Sequence, residues 1–470
     1  LAVSPDDRYV ALLTAPDAAL ITHEGGSALQ IVDRRTGVVV RPDDAPWRAR
    51  APSPYGWLLG LAWSDDSRAL AFRVDFDGYP GETFVAELVE DDARTWTVPR
   101  PDGLHAESDT MSWVPGKREL CQRVGDHGRE RVLCTDGLRG EAAGRSRLLP
   151  EGNVVVRDFA LSGDGRDLIA DVATPERFSE LYRLPARGRT LPVQLTDLNP
   201  QTASWGLPTM EIATWTAPDG AQVEGVLELP PGWTPDQGPL PTLVLIHGGP
   251  TSHATFARRF RAYGETLYAA RGWAVLQPNY RGSTGYGDRF LTDLIGHENQ
   301  IEVADILAGV DALVARGVAD PERLAVTGWS NGGFLTGAVI AATDRFKAAS
   351  LGAGVVDQTL QWALEDTPGH VVNFMQGLPW TTPDAYRAAS PLLVADRIHT
   401  PTILHVGEDD PRVPAAHARA LYRALGTYLG VPCELVVYPH TGHGLRAISA
   451  LEAKMAWDAA WFERYVLQPR

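Results

Sequence analysis

The sequence predicts a two-part chain: an all-β half over residues 1–205 and an α/β half over 206–470, the latter a mostly parallel sheet with flanking helices. Three observations carry this expectation. A nine-residue motif recurs four times in the first half. Near residue 205 the pattern changes to buried apolar runs alternating with helical stretches. Within the second half, "LAVTGWSNGGF" (324–334) sets a serine between glycines where a strand passes into a helix.

The repeats are "VSPDDRYVA" (3–11), "WSDDSRALA" (63–71), "WVPGKRELC" (113–121) and "LSGDGRDLI" (161–169), which align without gaps. Each has an apolar residue, a run of turn formers, an arginine (Arg8, Arg68, Arg118, Arg166) and an aliphatic residue two places on. Turn residues accept the sharp backbone bend and the apolar positions resume a sheet, so each motif is a hairpin. Spacings of about 50 residues suit one four-stranded propeller blade per repeat. A β-sandwich with similar hairpins is the less favoured reading. Four blades fall short of the usual ring, and the chain opens at Leu1 within the first repeat. The expectation is an N-terminally truncated propeller with blades missing upstream.

The second half opens with a hairpin turning at Pro218-Asp219-Gly220. Beyond Pro239, "PTLVLIH", "WAVLQPNY", "RLAVTGW", "AASLGAG", "PTILHVG" and "CELVVYP" are short apolar runs, with helical segments such as "NQIEVADILAGVDALVARG" (299–317) between them. Strands buried on both faces and separated by helices make a parallel sheet, with its chemistry beyond the strands' carboxyl ends.

Composition narrows the function. A chain of 470 residues with 44% hydrophobic residues folds around substantial cores, and a formal charge of −16 argues against a nucleic-acid partner. No apolar run reaches the length that spans a bilayer. Cys121, Cys134 and Cys433 form no disulfide framework and lack metal-ligand spacing, so a reducing, cytoplasmic setting is expected, with a removed signal peptide left open. No metal or cofactor is expected: "NYRGSTGYG" (279–287) has the form G-x-x-G-x-G and opens no clear dinucleotide-binding unit, so it is a rigid loop beside the site. The acidic "VEDDARTW" (89–96) is expected as a solvated loop.

In "RLAVTGWSNGGF", Gly328 and Gly332 leave room for a strained turn that exposes the Ser330 hydroxyl and aims the Asn331 backbone N–H at an oxyanion. This is the nucleophile elbow of an α/β-hydrolase. Such a serine needs a base, and the base needs an acid, in the order Ser, acid, His. "GEDDPRVP" offers Glu408, Asp409 or Asp410 after one strand, and "YPHTGHG" offers His440 or His443 after the next. His443 lies between glycines free to reach the elbow; the residues alone do not separate the three acids. "LIHGGP" supplies Gly248 and Gly249 for a second oxyanion donor, with His247 expected to hold that loop structurally.

With these motifs, "SP" (390–391) among them, the chain resembles the prolyl oligopeptidase family of serine peptidases, its acylaminoacyl-peptidase and dipeptidyl-peptidase branches above all. The resemblance implies Ser330 as nucleophile, Asp410 as the acid, because it precedes Pro411-Arg412-Val413-Pro414, and His443 as base. It implies the N–H groups of Asn331 and Gly249 as oxyanion donors, a propeller that admits only peptides or unfolded segments, and no cofactor. Position 331 is Asn where these branches often carry Tyr or His, and its side chain is expected to line the substrate site. No paired-glutamate element of the dipeptidyl-peptidase kind is found. The large apolar residues of 361–380 suggest Trp362 and Phe374 as pocket lining. The resulting expectation is a serine peptidase acting on short peptides through an acyl-enzyme, releasing N-terminal residues, and able to form a homo-oligomer. An esterase on the same scaffold and a propeller binding protein with an inert hydrolase half are the rivals.

Overall fold

A computed structural model describes residues 1–14, 27–48, 56–138, 144–187, 192–259 and 264–468. The chain divides into two compact units. One comprises Leu1–Ala203 with Thr255–Arg259 and Thr284–Thr292; the other comprises Ser204–Ala254, Phe260–Ser283 and Asp293–Arg470.

Among its described residues the first unit holds four antiparallel groups of four strands each, the third and fourth joined by a single bridge between Glu130 and Val155. Each repeated motif is the hairpin between the first two strands of its group, as between Trp57–Trp63 and Ala69–Phe76. The side chains show why the motif recurs. Ser4, Ser64 and Ser162 each donate to the aspartate two places on, at 2.7, 2.6 and 2.7 Å. Each serine oxygen also accepts the N–H of the residue five places on, at 2.9, 3.0 and 3.0 Å. The turn's polar groups are thus satisfied locally, as such turns require. The third motif lacks both residues and closes through its backbone, Lys117 N–H to the Val114 carbonyl at 3.0 Å.

Two expectations are corrected in this unit. Residues 89–96 form a tight hairpin between strands Tyr79–Val89 and Asp92–Thr97, with Ala93 and Trp96 buried. The acidic residues sit at its turn, which made it look like a loop. Cys121 and Cys134 form a disulfide (S–S 2.00 Å), because antiparallel register places them directly opposite on adjacent strands. Cysteine use therefore no longer favours a reducing compartment. Cys433 is free, and burial pushes its thiol up to about 12.

The second unit is built on an eight-stranded sheet: β1 (Thr209–Thr216), β2 (Gln222–Leu229), β3 (Leu240–Ile246), β4 (Ala274–Asn279), β5 (Ala319–Trp329), β6 (Ala348–Gly352), β7 (Thr402–Gly407) and β8 (Cys433–Tyr438). The strand order is 1-2-4-3-5-6-7-8, with β2 antiparallel to both its neighbours and the rest parallel. β3, β4, β6 and β7 are buried nearly end to end, which the unbroken apolar runs require. Helices α1 (Ile301–Ala315), α2 (Asn331–Ala342), α3 (Gln358–Leu364), α4 (Gly369–Met375) and α5 (Ile448–Phe462) accompany it. Among the described residues, no helix is long and apolar enough to cross a membrane.

Candidate active site

Ser330 lies between β5 and α2 with φ 60° and ψ −124°. A non-glycine residue in the left-handed half of the map costs about 1–3 kcal/mol and persists only where neighbours enforce it. Here the flanking glycines do. A Cβ on Gly328 would run into the Gly332 backbone, and one on Gly332 into the Ile246 carbonyl. Strand and helix therefore close tightly around Ser330, whose N–H donates to the Gly352 carbonyl at 2.9 Å.

The loops after β7 and β8 hold the candidate acid and the candidate base. They are zipped together by Glu408 N–H to the Tyr438 carbonyl at 2.9 Å and Asp409 N–H to the Thr441 carbonyl at 3.0 Å. Among the three candidate acids, Asp410 alone turns inward onto a histidine. Its Oδ1 accepts the Arg412 and Val413 N–H groups, each at 2.9 Å, and its Oδ2 lies 2.8 Å from His443 Nδ1. A carboxylate is an acceptor, so Nδ1 carries the proton and Nε2 is left as the basic nitrogen. The Arg412 carbonyl in turn accepts from Gln361 Nε2 at 2.7 Å, and its guanidinium pairs with Asp366 at 2.6 Å, tying the α3–α4 segment to the acid's loop. His440 points to solvent, 94% exposed, 3.9 Å from an Asp409 that is also exposed. The elbow meets the base through Trp329, whose indole N–H donates to the His443 carbonyl at 2.8 Å.

A cavity of about 300 Å³ opens beside Ser330. Its lining includes His247, Gly248, Gly249, Ser252, His253 and Trp329. Gly249 has φ 127°, a backbone state closed to other residues, and a Cβ on Gly248 would meet the Trp329 carbonyl at 2.8 Å. The 247–249 segment is therefore pressed against the elbow. His247 holds it, as expected, with Nδ1 2.8 Å from the Gly248 carbonyl and Nε2 2.9 Å from Ser283 Oγ.

Trp362 and Phe374 lie away from this cavity's lining. Phe374 is 1% exposed in an apolar cluster with Trp329, Phe334 and Val371, because α4 turns it inward; Trp362 packs on that cluster and meets the exposed Trp380 edge-on at 5.4 Å. The Asn331 side chain is tethered, its amide 3.2 Å from the Tyr280 hydroxyl. Sequence reasoning missed Tyr280 and the pair behind it. Arg281 is clamped by Asp305 of α1 at 2.6 Å and by Asp219 of the β1–β2 turn. Both contacts hold the guanidinium well above its ordinary range. The signal was present in "NYRG", an arginine inside an otherwise apolar and glycine-rich stretch.

For metal chemistry, one group of suitable side chains occurs among the described residues: Glu119, Cys121 and Cys134. Its sulfurs are joined to each other and Glu119 pairs with Arg147 and Arg187, so the donors are already committed.

Strand order and the elbow between β5 and α2 define an α/β-hydrolase fold. Residues 258–468 match the prolyl oligopeptidase family model, a domain match that covers just under half of the chain. It is 29% identical over 317 residues to the uncharacterized peptidase YuxL of Bacillus subtilis, covering 66% of this chain and 47% of that protein. It is 31% identical over 236 residues to the acylamino-acid-releasing enzyme of Arabidopsis thaliana, covering 48% of this chain and 30% of that enzyme. The chain thus spans less than half the length of these curated relatives. A puromycin-hydrolyzing peptidase from Mycobacterium tuberculosis shares the fold, with TM-score 0.73 at 21% identity over 99% of this chain and 78% of that one.

Proposed function

We propose that the chain is a serine peptidase that releases N-terminal residues from short peptides, using Ser330, His443 and Asp410. The observation that carries this reading is the oriented Asp410–His443 pair, delivered by the two loops that follow β7 and β8. His443 Nε2 takes the proton as Ser330 Oγ attacks the scissile carbonyl. The same proton passes to the leaving amine, and a water deprotonated by His443 then releases the acyl group. The backbone N–H groups of Asn331 and Gly249 receive the oxyanion; one such donor is typically worth about 3–4 kcal/mol of transition-state stabilisation. Asp410 does not take a proton: it fixes the tautomer and balances the imidazolium. We read the four-stranded groups of the first unit as propeller blades.

Its relatives support this reading through their own names, an acylamino-acid-releasing enzyme and a peptidase. The test is intact-mass labelling with a fluorophosphonate, followed by a panel of acetylated and free N-terminal peptides and matched esters. A single adduct lost in Ser330→Ala, with amide hydrolysis, is the expected result. A folded chain that takes no adduct, or that cleaves esters alone, would sink it.

A further inference from the structure

Tyr280 follows β4 directly and is fully buried. Its hydroxyl makes two hydrogen bonds of opposite sense, donating to the His247 carbonyl at 2.9 Å and accepting from the Asn331 side-chain amide at 3.2 Å. A phenol has one proton to give and lone pairs to receive, so a single group serves both. The ring is held as well, stacked on the His247 imidazole with centroids 4.5 Å apart and planes inclined by 11°. That imidazole must donate from Nδ1 to the Gly248 carbonyl, which leaves Nε2 to accept from Ser283.

The two groups that Tyr280 grips belong to the two segments that carry the oxyanion donors. β3 and β5 are paired neighbours, but their ladder ends at Ile246 and Gly328. The Gly249 and Asn331 N–H groups lie three residues past those last partners, where the ladder no longer sets their separation. Preorganised donors act only if that separation is fixed before the reaction. Resting on the reading of Ser330 above, we propose that Tyr280 is a positioning residue for the oxyanion hole: its hydroxyl ties the 247–249 segment to residue 331. Burial raises the phenol's pKa, so the bridging proton stays in place across the working range. The same tie draws the Asn331 side chain inward, away from the role in lining the substrate site that the family resemblance implied.

The probe is a fluorophosphonate, whose phosphoryl oxygen enters the oxyanion position, and the readout is its second-order labelling rate on the full chain. Tyr280→Phe keeps the ring stack and removes the tie; Asn331→Ala removes its other end and keeps the backbone donor. Each is expected to slow labelling about tenfold, short of the roughly 10²–10³ lost with a whole donor. The double variant should be no slower than the slower single, because both remove one interaction. The slowing should be present at temperatures where each variant is fully folded and should exceed what the loss of two buried hydrogen bonds does to melting temperature, which a purely structural role would not allow. Wild-type labelling in Tyr280→Phe, losses that multiply in the double variant, or losses that track melting temperature would overturn the inference alone. Labelling that persists in Ser330→Ala, or a wild type that does not label, would overturn the Ser330 reading and this inference with it.

Discussion

His443 Nδ1 and Asp410 Oδ2 lie 2.8 Å apart, while the other Asp410 oxygen is already taken by two backbone N–H groups at 2.9 Å each. The carboxylate cannot turn without breaking those bonds, so it presents one fixed face to the imidazole. An asparagine at 410 keeps the shape but lets the wrong imidazole tautomer form. Asp410→Asn is expected to lower kcat by roughly 10³–10⁴-fold with little change in KM. Asp409→Asn, whose side chain is 65% exposed, should leave both unchanged. Steady-state kinetics on one peptide substrate decides this; equal losses in the two variants would remove Asp410 from its role.

The elbow is expected to be intolerant of a single methyl group. A Cβ on Gly332 would meet the Ile246 carbonyl, and that backbone lies in the middle of the sheet. Gly332→Ala should cost about 1–3 kcal/mol, as overpacking does, and slow fluorophosphonate labelling in parallel. Gly163→Ala, where nothing lies within 4 Å, is the control and should stay within about 0.5 kcal/mol. Urea midpoints of the two variants read the difference.

Strand-to-helix alternation and the elbow were legible in the sequence because both are local. Buried strands such as β3 show as unbroken apolar runs, and the elbow needs glycines at fixed offsets from Ser330. What stayed hidden depends on where separate segments meet. Asp409 and Asp410 are adjacent and chemically identical, yet one faces solvent and the other a histidine 33 residues away. Cys121 and Cys134 become partners only once the register of their hairpin is known. Tyr280 owes its position to three loops, after β3, β4 and β5, and no spacing in the sequence records their convergence.

Stability of the second unit should fall from acid to neutral pH on account of Glu298. It is buried and accepts from Gln358 Nε2 at 2.7 Å, and burial pushes its carboxyl up to about 7 from 4.5. A folded-state pKa above the unfolded one means stability is full below about 4.5 and is lost as pH rises through about 7. The loss is about 3 kcal/mol for a shift of this size. Glu298→Gln should flatten that part of the profile. Burial raises Glu302 and Glu365 in the same direction, so a residual slope should remain. Thermal unfolding of both proteins from pH 5 to pH 8 tests this, and parallel curves would exclude Glu298 as the source.

Asp458 of α5 anchors a second polar network under β6, β7 and β8. It accepts from Ser350 Oγ at 2.7 Å, faces His405 Nε2 at 3.0 Å and pairs with the buried Lys454; the other His405 nitrogen meets the Tyr438 hydroxyl at 2.9 Å. Burial alone would raise the Asp458 carboxyl, but Lys454 and His405 outweigh it and hold the group well below the usual carboxylate range. Its stabilising contribution is therefore present above the unfolded pKa near 3.8 and lost as pH falls through the depressed folded value. Lys454→Met leaves this carboxylate buried without its countercharge and should cost about 3–5 kcal/mol at pH 7. Adding Asp458→Asn removes the stranded charge and should restore part of that loss, because the penalty lies in the unpaired ion. Because Tyr438 closes β8 and its carbonyl holds Glu408, the single variant should also slow Ser330 labelling before global unfolding begins. Urea denaturation and labelling on the same samples separate the two effects. A double variant no more stable than Lys454→Met would show that the cost comes from lost packing around the lysine stem.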